Sequence, residues 1–193
     1  MTIQLTGPYL LCPQPVLDFA DEVGMILDVT GEGDASKLIA DQLRRLLTNN
    51  ALALDYLFPL STGDKSQQDG FRRHLLYRDS RERFSIQAIV WGPQQSSPIH
   101  DHLAWCVAGL YQGEQQETIY ELLPEEKPHH LIPIKSERKR PGDVTHFASH
   151  RSNIHRVENV GRHFAVSIHV YGIDVQKAGS SVRRSYPLES VLF

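Results

Sequence analysis

The segment SSPIHDH, residues 96–102, contains a His-x-His pair, and the rest of the chain is interpreted outward from it. In a β-strand, side chains two residues apart point to the same face. His100 and His102 would then hold two imidazoles about 6–7 Å apart at Cβ, within reach of one metal ion, while Asp101 points to the opposite face. Alone, the pair is weak evidence for a metal site, because histidines on a surface or in a core give the same pattern.

Short apolar segments surround this pair from residue 72 onward. Turn signals such as Gly92-Pro93, Gln112-Gly113 and Pro141-Gly142 separate them. Seven or eight short strands at spacings of about 8–14 residues predict a closed barrel or a sandwich. The predicted strands are Arg72 to Tyr77, Arg83 to Trp91, Trp105 to Tyr111, Glu117 to Leu123, His129 to Ile134, Asp143 to Phe147, Asn153 to Val157 and Arg162 to Tyr171.

The first third of the chain has a helical pattern instead. Asp34-Ala35-Ser36 can cap a helix that runs to Thr48 with an apolar stripe near helical spacing. Val16 to Leu27 and Ala51 to Phe58 are further helix candidates. We expect one domain over residues 1–193, made of a helical segment at 1–60, a β-barrel at 71–172 and a tail at 173–193 that covers the barrel surface.

The composition argues against several classes of protein. The formal net charge of the 193 residues is -3, which does not favour nucleic acid as a partner, and the basic run Lys135 to Arg140 predicts a solvated loop. No apolar stretch approaches the ~20 residues of a membrane span, and no signal-peptide pattern is visible. Two cysteines, Cys12 and Cys106, make no disulfide framework. We expect a cytoplasmic protein without membrane partners, either a monomer or a small homo-oligomer.

The residues around the histidine pair resemble the first sequence motif of the cupin superfamily. That motif places a glycine, a spacer, His-x-His, a glutamate and a second glycine at characteristic intervals. Here Gly92 precedes the pair by seven residues rather than five, Cys106 stands at the glutamate position, and Gly113 closes the motif. Without the glutamate, neutral imidazoles would be the only ligands. A divalent metal would then keep its full charge and open positions for an anionic substrate and O₂.

His155 resembles the histidine of the second cupin motif. The sequence His155-x-x-x-Asn159 follows the Pro141-Gly142 turn, with a longer gap than usual. Together the two motifs imply a mainly β fold, a cupin-type double-stranded β-helix or jelly-roll barrel, with an added N-terminal helical segment. They also imply that His100, His102 and His155 converge on one metal ion.

A second polar cluster lies in the sequence SIHVY, residues 167–171. In a barrel strand, Ser167, His169 and Tyr171 share one face and the apolar residues between them share the other. An inward polar triplet is costly unless its members bond to one another or to a ligand. The alternative is an outward polar stripe, which alternation alone does not exclude.

These motifs together resemble the cysteine dioxygenase family of thiol dioxygenases. The resemblance rests on SPIHDH at 97–102, the spacing from Cys106 to Gln112-Gly113, HRVEN at 155–159 and the triplet within SIHVY, and it covers about residues 71–172. It implies a non-haem iron(II) enzyme, with Fe(2+) as cofactor. Such an enzyme uses O₂ to oxidise the thiol of a small-molecule substrate to a sulfinate.

The same resemblance implies roles for individual residues. His100, His102 and His155 would bind the iron. Tyr171 would be the active-site tyrosine, held by His169, which Ser167 holds in turn. Cys106 matches the cysteine that, in animal and some bacterial members, joins the tyrosine through a thioether. A small buried cysteine is the ordinary alternative.

The substrates of this family carry a carboxylate, which an arginine fork binds best. The segment FRRHL, residues 71–75, is similar to the segment that contributes this arginine in cysteine-using members, and it points to Arg73. Members that prefer 3-mercaptopropionate use an arginine downstream of the tyrosine, and Arg183 and Arg184 lie there. We expect cysteine as the substrate, with 3-mercaptopropionate or another mercapto-acid as the alternative.

Two other functions use the same fold. A zinc-dependent cupin would bind zinc with the same three histidines and activate water. A non-catalytic cupin would bind a small ligand without turnover. The sequence offers no evident general base beside His169 for the zinc chemistry.

Overall fold

The computed structural model describes residues 12–48, 52, 54, 70–123, 130–148 and 153–192. Its helices are α1 (Gln14–Val29), α2 (Glu32–Thr48), α3 (Val175–Ala178) and a 3-10 turn at Leu188–Ser190. Its strands are β1 (Arg72–Arg78), β2 (Ser85–Trp91), β3 (Ile99–His102), β4 (Cys106–Gln112), β5 (Gln115–Leu122), β6 (Leu131–Lys139), β7 (Val144–Phe147), β8 (His155–Asn159), β9 (Ala165–Tyr171) and β10 (Val182–Tyr186).

The strands form two five-stranded antiparallel sheets. One has the order β1-β2-β9-β4-β7 and the other β10-β3-β8-β5-β6. Strand β2 pairs with β9, β3 with β8, β4 with β7, and β5 with β6. This nested pairing is that of a long hairpin wound into a jelly roll, with β1 and β10 added at the edges. The predicted mainly β, cupin-type double-stranded β-helix is confirmed.

The two predicted N-terminal helices cover the outside of the first sheet. Their apolar faces join one core cluster with every second residue of the sheet, including Ile86 and Ile168. Helix α2 lies close on β4 at Gly109, where an added Cβ would come within 2.4 Å of Leu47 Cδ1. The helices thus occupy the outer face of β9, so the alternate residues Ser167, His169 and Tyr171 face the barrel interior.

Three features differ from the sequence-based expectations. The run Lys135 to Arg140 is not a loop, because β6 continues to Lys139 as an edge strand on which Lys135 and Arg138 are exposed. Strand β10 in the tail was not predicted. Helix α2 begins at Glu32, before the expected cap. The third predicted helix, Ala51 to Phe58, lies outside the described residues except for Leu52 and Leu54.

Among the described residues, no helix has the length and apolar character needed to cross a bilayer. Helix α2, with 17 residues, is shorter than the ~20 residues that a bilayer core requires.

Candidate metal centre

Three histidines meet inside the barrel. His100 and His102 project from β3, and His155 stands directly opposite His100 in the β3–β8 register. Their exposed fractions are 8%, 3% and 2%, and one nitrogen atom of each lies within 4.8 Å of those of the other two. The predicted three-histidine cluster is therefore present, on one face of the second sheet.

Hydrogen-bond acceptors fix the orientation of two of these rings. The Pro98 carbonyl lies 3.0 Å from His100 Nδ1, and Glu117 Oε1 lies 2.9 Å from His155 Nδ1. A carbonyl and a carboxylate only accept, so each Nδ1 carries the hydrogen and each Nε2 keeps its lone pair. The Nε2 atoms of His102 and His155 are 3.0 Å apart. Two nitrogens bound at about 2.1 Å to one ion at a right angle would be separated by about this distance.

The environment keeps His100 and His102 uncharged. Burial lowers the pKa of His100 to about 3 and holds the pKa of His102 well below its usual value. Neighbouring His155 reinforces both shifts. Neutral imidazoles are good ligands for divalent iron and zinc, so the donor set fits a metal ion of this kind.

Glu117 on β5 completes the surroundings of His155, and it was missed in the sequence. Its carboxylate is 5% exposed and also accepts a hydrogen bond of 2.6 Å from Thr145 Oγ1. Burial favours its neutral form, but the hydrogen bonds from His155 and Thr145 and the charge of Lys139 lower the pKa of Glu117 to about 2. No local motif marks this residue, because its contact with His155 spans 38 positions.

A hydrogen-bonded row crosses the opposite wall. Ser167 Oγ lies 2.8 Å from His169 Nε2, and His169 Nδ1 lies 3.2 Å from the Tyr171 hydroxyl. Trp91, which the sequence did not single out, donates from Nε1 to Ser167 Oγ over 2.9 Å. Burial lowers the pKa of His169 to about 3 and raises the pKa of the Tyr171 phenol. The triplet is thus an inward row and not an outward stripe.

The two walls meet across the barrel. The ring centroids of His102 and Tyr171 are 5.4 Å apart, so the phenol on the first sheet faces the histidines on the second. Cys106 is the direct partner of Tyr171 in the β4–β9 register. Its side chain is fully buried, and burial raises the pKa of its thiol. The structure therefore brings together the cysteine and the tyrosine that the family resemblance links.

A cavity of about 450 Å³ opens over the three histidines and Tyr171. All three predicted arginines, Arg73 on β1 and Arg183 and Arg184 on β10, line it. No aspartate or glutamate occurs among the described lining residues. The cavity is therefore cationic, which suits an anionic ligand.

The three arginines differ in their surroundings. The Arg73 guanidinium lies over the Phe71 ring, 4.5 Å from its centroid. Arg183 is bound to the fully buried Asp101 through Nη2 at 2.5 Å and Nε at 3.2 Å. Arg184 is exposed. Asp101 thus holds Arg183, whereas the guanidinium groups of Arg73 and Arg184 lie over aromatic rings.

A protein-family model described as cysteine dioxygenase type I matches residues 39–178. Several solved structures also match. Oxalate oxidase matches with 21% identity and a TM-score of 0.44, over 58% of this chain and 55% of that chain. The cupin domain of Schizosaccharomyces pombe Cnp3 has 12% identity and a TM-score of 0.42, over 56% and 65%. A cupin superfamily protein from Desulfitobacterium hafniense has 16% identity and a TM-score of 0.40, over 60% and 89%. The chain spans about half the length of the oxalate oxidase.

Proposed function

The chain belongs to the cysteine dioxygenase type I family, and from this premise we propose that it is a non-haem iron(II) thiol dioxygenase. It converts a small thiol carboxylate, cysteine first of all, to the sulfinate with O₂. We propose that it acts in the cytoplasm, on small molecules only, as a single domain. The observation that carries the proposal is the cluster of three buried imidazoles beside a phenol.

His100, His102 and His155 would hold the metal. Bound iron(II) would supply coordination of the thiolate and of O₂ and the redox chemistry of sulfur oxygenation. The three imidazoles bring no negative charge, so the centre favours an anionic substrate group such as a thiolate. Burial of all three side chains excludes bulk water from the reacting atoms.

Arg73 would bind the substrate carboxylate. Its planar guanidinium can form two parallel hydrogen bonds to a carboxylate, and its stacking on Phe71 limits its freedom. Arg183 is the weaker candidate because Asp101 already occupies its fork. This assignment favours cysteine as the substrate, because the members of the family that use cysteine have an arginine at the position of Arg73.

Tyr171 would direct a hydrogen bond toward the substrate. Trp91 N–H donates to Ser167 Oγ, and in the arrangement that we propose the Ser167 hydroxyl donates to His169 Nε2. His169 Nδ1–H would then donate to the Tyr171 oxygen, which leaves the phenol hydrogen to donate to Ser181, a second hydrogen-bond partner of Tyr171, or to a substrate in the cavity that both residues line. The raised pKa of Tyr171 keeps the phenol protonated at neutral pH.

We propose that Cys106 supports Tyr171, through a thioether between Sγ and the ring. Forming this bond breaks the S–H bond of Cys106 and one ring C–H bond of Tyr171, and O₂ would take up the two hydrogen atoms as the two-electron oxidant, leaving as hydrogen peroxide. Mass spectrometry of linked tryptic peptides after aerobic turnover tests this point, with a loss of two hydrogens as the expected result. Separate, unmodified peptides would leave Cys106 as a core residue.

An oxygen electrode with iron(II)-loaded protein and a panel of thiols tests the proposed function. We expect stoichiometric O₂ uptake with cysteine. Faster uptake with 3-mercaptopropionate would move the substrate assignment to the alternative, which has no ammonium group and so needs no carboxylate among the described lining residues. Stoichiometric bound zinc without O₂ uptake, or ligand binding without turnover, would contradict the dioxygenase proposal in favour of the zinc-dependent or the non-catalytic cupin.

A further inference from the structure

The carboxylate of Glu117 is hydrogen-bonded to the histidine cluster, although Cys106 stands at the glutamate position of the cupin motif. Glu117 Oε1 accepts from His155 Nδ1 at 2.9 Å, and the two side chains are 6% and 2% exposed. Burying an ionised carboxylate costs several kcal/mol unless donors compensate it. An ionised carboxylate as deeply buried as that of Glu117 is therefore expected to have a role toward the histidine that it contacts.

The surroundings of Glu117 hold its charge in place. Thr145 Oγ1 donates to Oε2 at 2.6 Å, and Lys139 Nζ lies 3.5 Å from the same oxygen. Lys139 is 17% exposed and also binds Glu137 at 2.9 Å. Both carboxylate oxygens are thus occupied by donors on β7, β6 and β8, and the oxygen that faces His155 can only accept.

A neutral amide oxygen could accept the same hydrogen bond from His155 Nδ1. We therefore ask what the negative charge of Glu117 adds to the hydrogen bond. A carboxylate that accepts from Nδ1–H draws the hydrogen away from the ring and increases the electron density at Nε2. That nitrogen faces the point where the three histidines meet, 3.0 Å from His102 Nε2. Glu117 thereby supplies, through His155, a negative charge that the three imidazole ligands do not carry.

We propose that Glu117 is a positioning residue of the metal centre: it fixes His155 with Nε2 toward the ion and strengthens that nitrogen as a ligand. The inference rests on the metal site of the proposed function. It requires that Glu117 raise metal affinity and favour the more highly charged oxidation state of iron, and it requires no contact between Glu117 and the substrate.

Metal titration of the apo-protein tests the role of Glu117 without any thiol. Cobalt(II) in air and iron(II) under anaerobic conditions are titrated into the wild type and into Glu117→Gln, which keeps an acceptor but removes the charge. We expect the dissociation constant to rise about 10–100-fold, the usual effect of losing such a partner. Glu121→Gln is the matched control, because Glu121 is an exposed glutamate on the same strand, and its dissociation constant stays at the wild-type value.

A second variant and a redox measurement distinguish an effect on the metal from a purely structural effect of Glu117. Thr145→Val removes one donor to Glu117 but leaves the charge and the His155 contact, so we expect a smaller loss of affinity. The midpoint potential of the bound iron should rise in Glu117→Gln, a change that a purely structural role would not produce. Metal affinity within twofold of the wild type in both variants, with an unchanged potential, would overturn the inference. Tight metal binding without thiol oxidation would overturn only the proposed function.

Discussion

At the scale of single residues, His155 is the least exposed of the three clustered histidines, and its two ring nitrogens have different partners. Nδ1 faces Glu117 and Nε2 faces His102. His155→Ala removes a proposed metal ligand and also the hydrogen-bond donor to Glu117 Oε1. We expect the variant to lose at least nine-tenths of its iron, measured by elemental analysis after desalting. The exposed His163→Ala retains iron, and iron retention by His155→Ala would remove that residue from the ligand set.

Tyr171 should affect turnover more than metal binding. Tyr171→Phe keeps the ring packed beside His102 but removes the hydroxyl that His169 binds. We expect a loss of about 10-fold or more in kcat, with O₂ uptake exceeding sulfinate formation, as is typical of losing one positioned hydrogen-bond donor. Tyr77→Phe, on the outer side of β1 against Phe84, is the control. Wild-type kcat and coupling in Tyr171→Phe would contradict this role.

Arg73 should control substrate affinity. Because a hydrogen-bonded charge pair contributes about 1.5–3 kcal/mol, Arg73→Ala should raise KM for cysteine about 10–100-fold and change kcat less. Arg183→Ala and Arg184→Ala serve as parallel variants, and steady-state O₂ uptake is the measurement. A larger KM effect in either of them than in Arg73→Ala would transfer carboxylate binding to β10.

Sequence periodicity located those residues whose partners are close along the chain. His100 with His102, and Ser167 with His169 and Tyr171, follow from the two-residue repeat of a strand. Glu117 could not be found this way, because a buried carboxylate looks like any strand glutamate until the fold brings β5 beside β8. Trp91 was missed for the same reason, since its contact with Ser167 spans 76 positions.

At the scale of elements, the strands that are buried on both faces were predicted well. Strands β2 and β9 are buried along their whole length and carry clear apolar runs. Strand β10 gave no such signal, because of its five residues only Tyr186 is buried. The prediction for the charged edge strand β6 ended too early, at Ile134, for a similar reason. Elements at the sheet edges depend on backbone pairing, which leaves little trace in side-chain chemistry.

The junction between β9 and the start of β4 offers a test of element packing. An added Cβ at Gly172 would lie 2.1 Å from Trp105 Nε1, and the ring is buried and cannot turn away. Gly172→Ala should therefore lower the free energy of unfolding by about 1–3 kcal/mol, measured by urea denaturation. Gly31→Ala, where no atom lies within 4 Å of the added Cβ, is the control. Equal stability of the two variants would contradict this packing.

At the scale of the whole molecule, the site joins the two sheets of the jelly roll. The histidine cluster belongs to the second sheet and the Ser167–His169–Tyr171 row to the first, so the proposed binding of a metal and a substrate between them depends on the intact sandwich. The N-terminal helices cover the outer face of the first sheet and leave the cavity side open. This arrangement places the proposed site inside the barrel and the N-terminal helices outside it.

Acid should destabilise the apo-protein. Burial lowers the pKa of His100 and His169 to about 3, and His102 shifts in the same direction. Below the ordinary histidine pKa near 6.5 the unfolded chain takes up protons that the folded chain does not, so stability falls with falling pH until about pH 3. Each such group contributes about 1.4 kcal/mol per pH unit in this window. Urea denaturation at pH 5 and pH 7 measures the slope. His169→Gln should flatten it and the exposed His163→Gln should not, and equal slopes in both variants would contradict the assignment.

Product analysis under ¹⁸O₂ tests the central claim most directly. Iron(II)-loaded protein is mixed with cysteine and the sulfur product is identified by mass spectrometry. We predict cysteine sulfinate with both sulfinate oxygens labelled, and no such product from the His155→Ala variant. Unlabelled sulfinate, disulfide as the only product, or equal yield from His155→Ala would contradict a thiol dioxygenase built on these three histidines.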